Sequence, residues 1–453
     1  MSEPEKVGLL EGVRTSATCL LHELFPLWIA EQPADWKRVV RPQGGGSFSI
    51  NIEPYRGIHT WIAFQRRVEE LASLKDFQVE VMESQPELLG YVSVPGRSQK
   101  IQDVTSLATC WCKEAERHLA TGVPMNDAIG KVLDDLHAVL ISRRVKQQVR
   151  TPLSGLTLPE GVEWIELTDR FSVRKLSDEE ISDLGSHDVT SGDRHDIISR
   201  SVSTAAFIEE DVLFRLTPDY SEPIAQSDLQ QRNQEQLGTL LSALHVLKEG
   251  RVGVIASFFD IGPLVLPGLG GHSMAPLVRH PFASMNLTSE DIPRLFEVHS
   301  RLTANQRDEV RIACVRLMDA EHRMSPVDAL LDAVIGLEAL LNPNDSSELS
   351  FRVALNYAFL GTTEVRRVRF ERIRDIQKVR NRVVHGGLNL QSKDAPLIHE
   401  QAIIAKACLR DSIQSFLFDT SLSGNRKLDA DFWLNRVLPS AVLALQTASD
   451  LSE

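Results

Sequence analysis

Arg380, Asn381 and His385 are the residue types that phosphodiester cleavage in RNA requires, set within six positions of one another. An imidazole titrates near neutral pH, so His385 can take a proton from a hydroxyl or give one to a leaving oxygen. The Arg380 guanidinium can hold a phosphate and stabilise the extra charge of its transition state. The Asn381 carboxamide can orient the histidine or bond a phosphate oxygen. RNA supplies its own nucleophile, the 2′-OH, so the chemistry calls for no metal and no cofactor. Its products would be a 2′,3′-cyclic phosphate or 3′-phosphate and a 5′-OH.

The element that must position these groups is a helix expected over 364–385, closed by Gly386-Gly387 as glycines past a helix C-terminus close one. Val365, Val368, Ile373, Ile376, Val379 and Val383 are expected to face inward. The segment carries eight basic residues against three acidic ones, a surplus of +5 inside a chain of net charge -13. A charge run of this kind is usually a solvated, salt-bridged face. The alternative is a phosphate-attracting strip, with Arg374, Lys378 and Arg382 as its RNA-binding members. Helical spacing puts Asn381 and His385 about 40° apart, and Arg380 about 140° from His385. Arg380 joins them only if its side chain bends round or a second copy of the helix supplies it. Taken singly, His385 also reads as a helix C-cap histidine, and Arg380 as a surface ion-pair partner of Asp375 or Glu371.

Other helices frame this one. Thr288-Ser289-Glu290-Asp291 is an N-cap signal, followed by a helix over 302–322. Ser325-Pro326 opens the next, through 342, with Leu330, Val334, Leu337 and Leu341 toward a core and Glu338 within that apolar stripe. Helices over 347–360, 394–419 and 427–448 complete a compact bundle. Glu338 is a candidate support, pairing with an arginine of the 364–385 helix.

Two of these stretches carry a family resemblance. Asp332-Ala-Val-Ile-Gly-Leu-Glu338-Ala-Leu-Leu341 lies upstream of Arg380-Asn381-Arg382-Val383-Val384-His385-Gly386. In their order, spacing and arginine-polar-histidine pattern they resemble the HEPN superfamily, and within it the ApeA-like branch. The resemblance covers roughly residues 287–450. It implies metal-independent endoribonuclease activity in a homodimer formed through the bundle, and a role in antiphage or stress defence by cutting RNA, transfer RNA among the candidates. It implies Arg380, Asn381 and His385 as the catalytic group. Two other readings stay open: a non-catalytic bundle that dimerises and binds nucleotide or protein, and the toxin of a toxin–antitoxin pair.

The chain of 453 residues is long enough for two to three domains. Residues 1–286 read as a mixed α/β region of one or two subdomains, a sensor of a phage or host trigger, and 287–453 as the helical ribonuclease domain. The fold class expected is therefore mainly α. In the first region, helices are expected over 5–31, 58–75, 104–149 and 226–248, and strands within 161–175, 204–217 and 252–261. Residues 176–202 and 261–286 read as connections.

The rest of the composition excludes more than it assigns. Five scattered cysteines suit a reducing compartment, the N-terminus does not read as a signal peptide, and no long apolar run suggests a membrane span. The expected location is cytoplasmic. Cys110-Trp111-Cys112 lacks the second pair of a zinc site, and His187, Asp193 and His195 read as loop polarity. Gly268-Leu269-Gly270-Gly271-His272 lacks the lysine of a phosphate loop, and the Gly44-Gly45-Gly46-Ser47 loop lacks the aspartates of a nucleotidyltransferase. Trp36, Trp61, Trp111 and Trp164 are expected in the core.

Overall fold

The computed structural model describes residues 8–31, 39–43, 47–51, 66–94, 97–101, 103–120, 122–177, 180–181, 202–220, 222, 229–254, 257–263, 265–267, 271–273, 284–305, 307–342, 349–387, 393–419 and 422. In chain order these form α1 (Glu11–Glu31), β1 (Val39–Gln43), β2 (Ser47–Asn51), α2 (Ala72–Ser84), β3 (Tyr91–Val94), β4 (Arg97–Lys100), α3 (Val104–Ala120) and α4 (Met125–Ser142). Next come β5 (Arg144–Ser154), β6 (Leu156–Thr157), β7 (Trp164–Thr168), β8 (Phe171–Lys175), β9 (Val202–Leu213), β10 (Arg215–Thr217), α5 (Leu229–Leu247), β11 (Gly253–Val254), β12 (Ser257–Gly262), β13 (Gly271–Ser273) and β14 (Met285–Asn286). The remainder is helical: α6 (Asp291–Ala304), α7 (Asp308–His322), α8 (Pro326–Leu341), α9 (Leu349–Phe359), α10 (Arg366–Val384) and α11 (Ala395–Phe418). The protein is mainly α, with a mixed α/β N-terminal half and a helical C-terminal region, and no described helix is long and apolar enough to cross a membrane.

The chain divides into two compact units: 1–154, 163–234 and 254–280 in one; 155–162, 235–253 and 281–453 in the other. In the first, α1 to α4 bury one apolar face each. Leu20, Leu21 and Leu24 of α1, Phe77 and Val81 of α2, Leu107 and Trp111 of α3, and Ile129, Val132 and Leu136 of α4 share a single core. Trp111 meets Phe77 edge to face, ring centroids 5.4 Å apart, and its indole N–H donates to the Val265 carbonyl at 2.8 Å, so a large ring is buried with its polar atom satisfied. The unit's main sheet runs β13-β12-β5-β9-β8-β7, antiparallel throughout.

Several expectations are corrected here. The helix expected over 104–149 stops at Ser142, and 144–154 is the strand β5 between β12 and β9. Arg143 adopts a left-handed conformation (φ 53°), which turns the chain from helix into strand. Lys146, Gln147 and Gln148 hid the strand, because its first half is only partly buried and shows no clean alternation. Helix α1 ends at Glu31 as expected and carries Pro26 within it. Trp164 lies on the surface rather than in the core. Trp36, Trp61, the Gly44–Gly46 loop, His187, Asp193, His195, Gly268 to Gly270, residues 58–65 and the helix expected over 427–448 lie outside the described residues.

In the second unit α8 is the central element. Ser325 caps it by accepting from the Asp328 N–H, and Leu330, Val334, Leu337, Leu340 and Leu341 are buried. Gly336 permits its close packing: a Cβ there would come within 2.6 Å of Leu409 on α11 and 3.1 Å of Arg316 on α7. Helix α6 follows the N-cap signal at 288–291, and the helix expected over 302–322 begins only at Asp308 as α7; the two are parted at Asn305–Arg307, where the Asn305 side chain accepts from the Arg307 N–H. The unit also takes in residues that precede 287 in the chain. Arg410 and Gln414 of α11 donate to the carbonyls of His245 and Val246 at 2.8 and 2.7 Å, satisfying acceptors that the end of α5 leaves open. Buried Glu321 on α7 is held by Lys406 (2.6 Å) and Arg410 of α11.

Candidate active site and nucleic-acid interface

Helix α10 carries every residue expected to act on RNA except Glu338. Its apolar contribution is Ile373, Ile376 and Val379, all buried, with Val383 half-buried; Val365 and Val368, expected inward, are exposed because the short 3-10 turn at Thr363–Val365 and the first turn of α10 stand clear of the core. Part of the basic surplus is spent on structure. Arg369 donates to the Tyr357 carbonyl at 3.1 Å, lies over the Tyr357 ring and pairs with Asp411, while Arg366 lies over Phe359. Arg367 pairs with Glu371 one turn along.

The remaining polar groups sort by helical phase. Arg374, Lys378, Asn381 and His385 are exposed and follow at intervals of four, three and four residues, so they fall on one face. Arg382 is exposed beside that face and reaches the Gly387 carbonyl at 3.4 Å. Arg380 lies elsewhere, on the stripe of Ile373, Ile376 and Gln377, and is half-buried. Its guanidinium nevertheless donates to Asn381 Oδ1 at 3.0 Å. The structure thus brings Arg380 and Asn381 into contact. His385 stands one turn on, and among the described residues its ring has no hydrogen-bond partner.

His385 is the last residue before the chain leaves the helix. Its N–H bonds the Asn381 carbonyl, Gly386 turns left-handed at φ 70°, and the N–H groups of Gly386 and Gly387 return to the carbonyls of Val383 and Arg382. This pair of bonds is a Schellman closure, which the two glycines make cheap. It fixes where α10 ends and so holds the His385 backbone at the rim of the exposed face.

Glu338 sits in the last turn of α8, where the helix dipole disfavours a negative charge. Burial pushes its carboxyl above the usual range, and the positive charge of Arg380 opposes that shift. The charge of Arg380 therefore acts on Glu338 across the two helices, with no ion pair between them among the described residues. Gln377 is a polar neighbour that sequence reasoning passed over. It is buried one turn before Arg380, and neither its amide oxygen nor its nitrogen has a hydrogen-bond partner among the described residues. The signal was present: glutamine occupies an inward position of the stripe that Ile373, Ile376 and Arg380 define.

No family model matches this chain, and neither a curated protein nor a solved structure is significantly similar to it.

Proposed function

We propose that the protein is a HEPN-type endoribonuclease of the ApeA-like kind, which cuts RNA through its own 2′-OH and serves antiphage or stress defence. The observation that carries the reading is the exposed face of α10, where two cations, Arg374 and Lys378, lead along one line to Asn381 and His385. An RNA backbone laid on that face would meet phosphate-binding charge first and an imidazole at its end. His385 then takes the 2′-hydroxyl proton, or protonates the 5′-oxygen as the P–O5′ bond breaks. Arg380, steadied by Asn381 and offset by Glu338, neutralises the charge that builds on the phosphate. Because Arg380 lies off the exposed line, the complete site would join Arg380 of one copy with His385 of another, in a homodimer formed through this bundle. The N-terminal region would act as sensor of the trigger.

The half-burial of Arg380 and its charge coupling to Glu338 also suit a second reading, a non-catalytic bundle in which these groups are structural. Cleavage of total RNA in EDTA separates the two. The ribonuclease reading expects wild type to leave 5′-OH ends and His385→Ala to leave the RNA intact. Absence of cleavage by wild type, together with no toxicity difference between the two proteins expressed in cells, would favour the structural reading.

A further inference from the structure

A second cluster lies in the N-terminal unit, away from any residue assigned above. Glu114 and His118 stand four apart on α3 and so share one face; Asp135 comes from α4, the helix packed beside it. One ligand atom from each of the three lies within 4.8 Å of the other two. His118 Nε2 and Asp135 Oδ2 are 3.0 Å apart. Glu114 is buried at 7% exposure, while the His118 and Asp135 side chains keep 22% and 38%, so the group has a dry floor and an open side.

The His118–Asp135 separation of 3.0 Å is near that of a coordination shell, and the third ligand atom lies within 4.8 Å of both. Bonds of about 2.0–2.1 Å at tetrahedral angles place neighbouring ligand atoms about 3.3 Å apart. An imidazole with two carboxylates is a nitrogen–oxygen donor set that suits borderline divalent ions better than magnesium or calcium, which favour oxygen alone. Two of the ligands come from one helix turn and one from the neighbouring helix. Closing the shell from separations of up to 4.8 Å would draw ligand atoms together by up to about 1.5 Å, within the reach of side-chain rotation. The side opposite Glu114 is where a water would complete four-coordination.

We propose that Glu114, His118 and Asp135 form a binding site for a divalent transition-metal ion of the zinc class, clamping α3 to α4. The site is structural rather than catalytic: it stands in the unit that lacks the α10 residues, and its ligands come from helices whose other faces form a core. It also explains a pairing that the sequence hides, since Glu114 and Asp135 are separated by 20 intervening residues with no motif spacing between them.

The test is titration of the full chain, stripped with EDTA and dialysed, with Zn2+ by calorimetry and with Co2+ by visible absorption. The expected result is one equivalent of Zn2+ bound and cobalt d–d bands of low coordination number, with a melting temperature that rises on adding Zn2+. His118→Gln and Asp135→Asn, both at the open side, should fold as wild type without metal and bind Zn2+ at least about tenfold more weakly, each losing most of the thermal shift. Glu114→Gln is the third ligand variant, and the other two carry the test if it folds poorly. Wild type that binds no Zn2+ would overturn the proposal and leave an ion-pair cluster. Binding of unchanged affinity in His118→Gln and Asp135→Asn would overturn it equally, by placing the ion elsewhere.

Discussion

The exposed line on α10 separates two jobs that the sequence presents as one basic run. Arg366 and Arg369 pack on aromatic rings, so removing them would damage the fold, while Arg367 makes only an exposed ion pair with Glu371. Arg374 and Lys378 are exposed, and Arg374 stands no nearer than 6.0 Å from the Phe370 ring centroid, so on the proposed function their charge faces RNA. Substituting each by alanine is expected to weaken binding of single-stranded RNA and to reduce the slope of log affinity against log salt by about 0.7 per charge removed. Fluorescence anisotropy across a salt series measures this. An unchanged slope with an unchanged melting temperature would place the RNA on another face. Arg380 differs again, because its partner Glu338 is left half-buried when it goes. Arg380→Ala should therefore lower both activity and stability, whereas His385→Ala, with no ring hydrogen bond to lose, should lower activity alone.

At the scale of the element, what fixes His385 is the way α10 ends. Gly386 adopts φ 70°, and a Cβ there would meet nothing within 4 Å, so the cost of a side chain is purely that of the backbone conformation. Gly386→Ala is expected to destabilise by about 1 kcal/mol, a fall of roughly 2–4 °C in melting temperature. On the proposed function, cleavage should fall by more than stability alone explains, since the His385 imidazole sits on the residue before the distortion. Comparing initial rates well below the melting transition separates the two effects. Equal activity at equal folded fraction would mean that the closure does not position His385.

The molecule as a whole carries a pH dependence written into the C-terminal unit. His245 is fully buried, its Nδ1 faces the Leu241 carbonyl at 2.7 Å, and its Nε2 has no hydrogen-bond partner among the described residues. Burial pushes the imidazole from its ordinary 6.5 down to about 4, only partly opposed by that hydrogen bond. Between those values the unfolded chain binds the proton and the folded chain does not, so stability is lost as pH falls through that window. By pH 5 the loss from this one residue is about 2 kcal/mol. Burial lowers His299 in the same direction. Thermal melting at pH 7 and pH 5 is expected to show a drop for wild type that is smaller in His245→Phe. An equal drop in both would assign the dependence to other groups. EDTA, on the proposal of a clamp between α3 and α4, should lower the melting temperature of the whole protein while leaving RNA cleavage chemically intact.

The sequence by itself determined the local content of this protein. Period and punctuation placed α8 within a residue of its ends, because Ser325-Pro326 and Asn342-Pro343 are strong start and stop signals, and placed the end of α10, because only glycine adopts the left-handed closure cheaply. It also named the residues that could act on RNA, since their chemistry is in the side chains. Only tertiary structure decided which of them meet. That Arg380 is half-buried within charge range of Glu338 while Asn381 and His385 are exposed depends on how α8 packs against α10. That β5 is a strand depends on β9 and β12 pairing with it across long loops. That Glu114, His118 and Asp135 converge depends on two helices packing side by side. Each is a contact between residues distant in the chain, and such contacts leave no local periodicity to read.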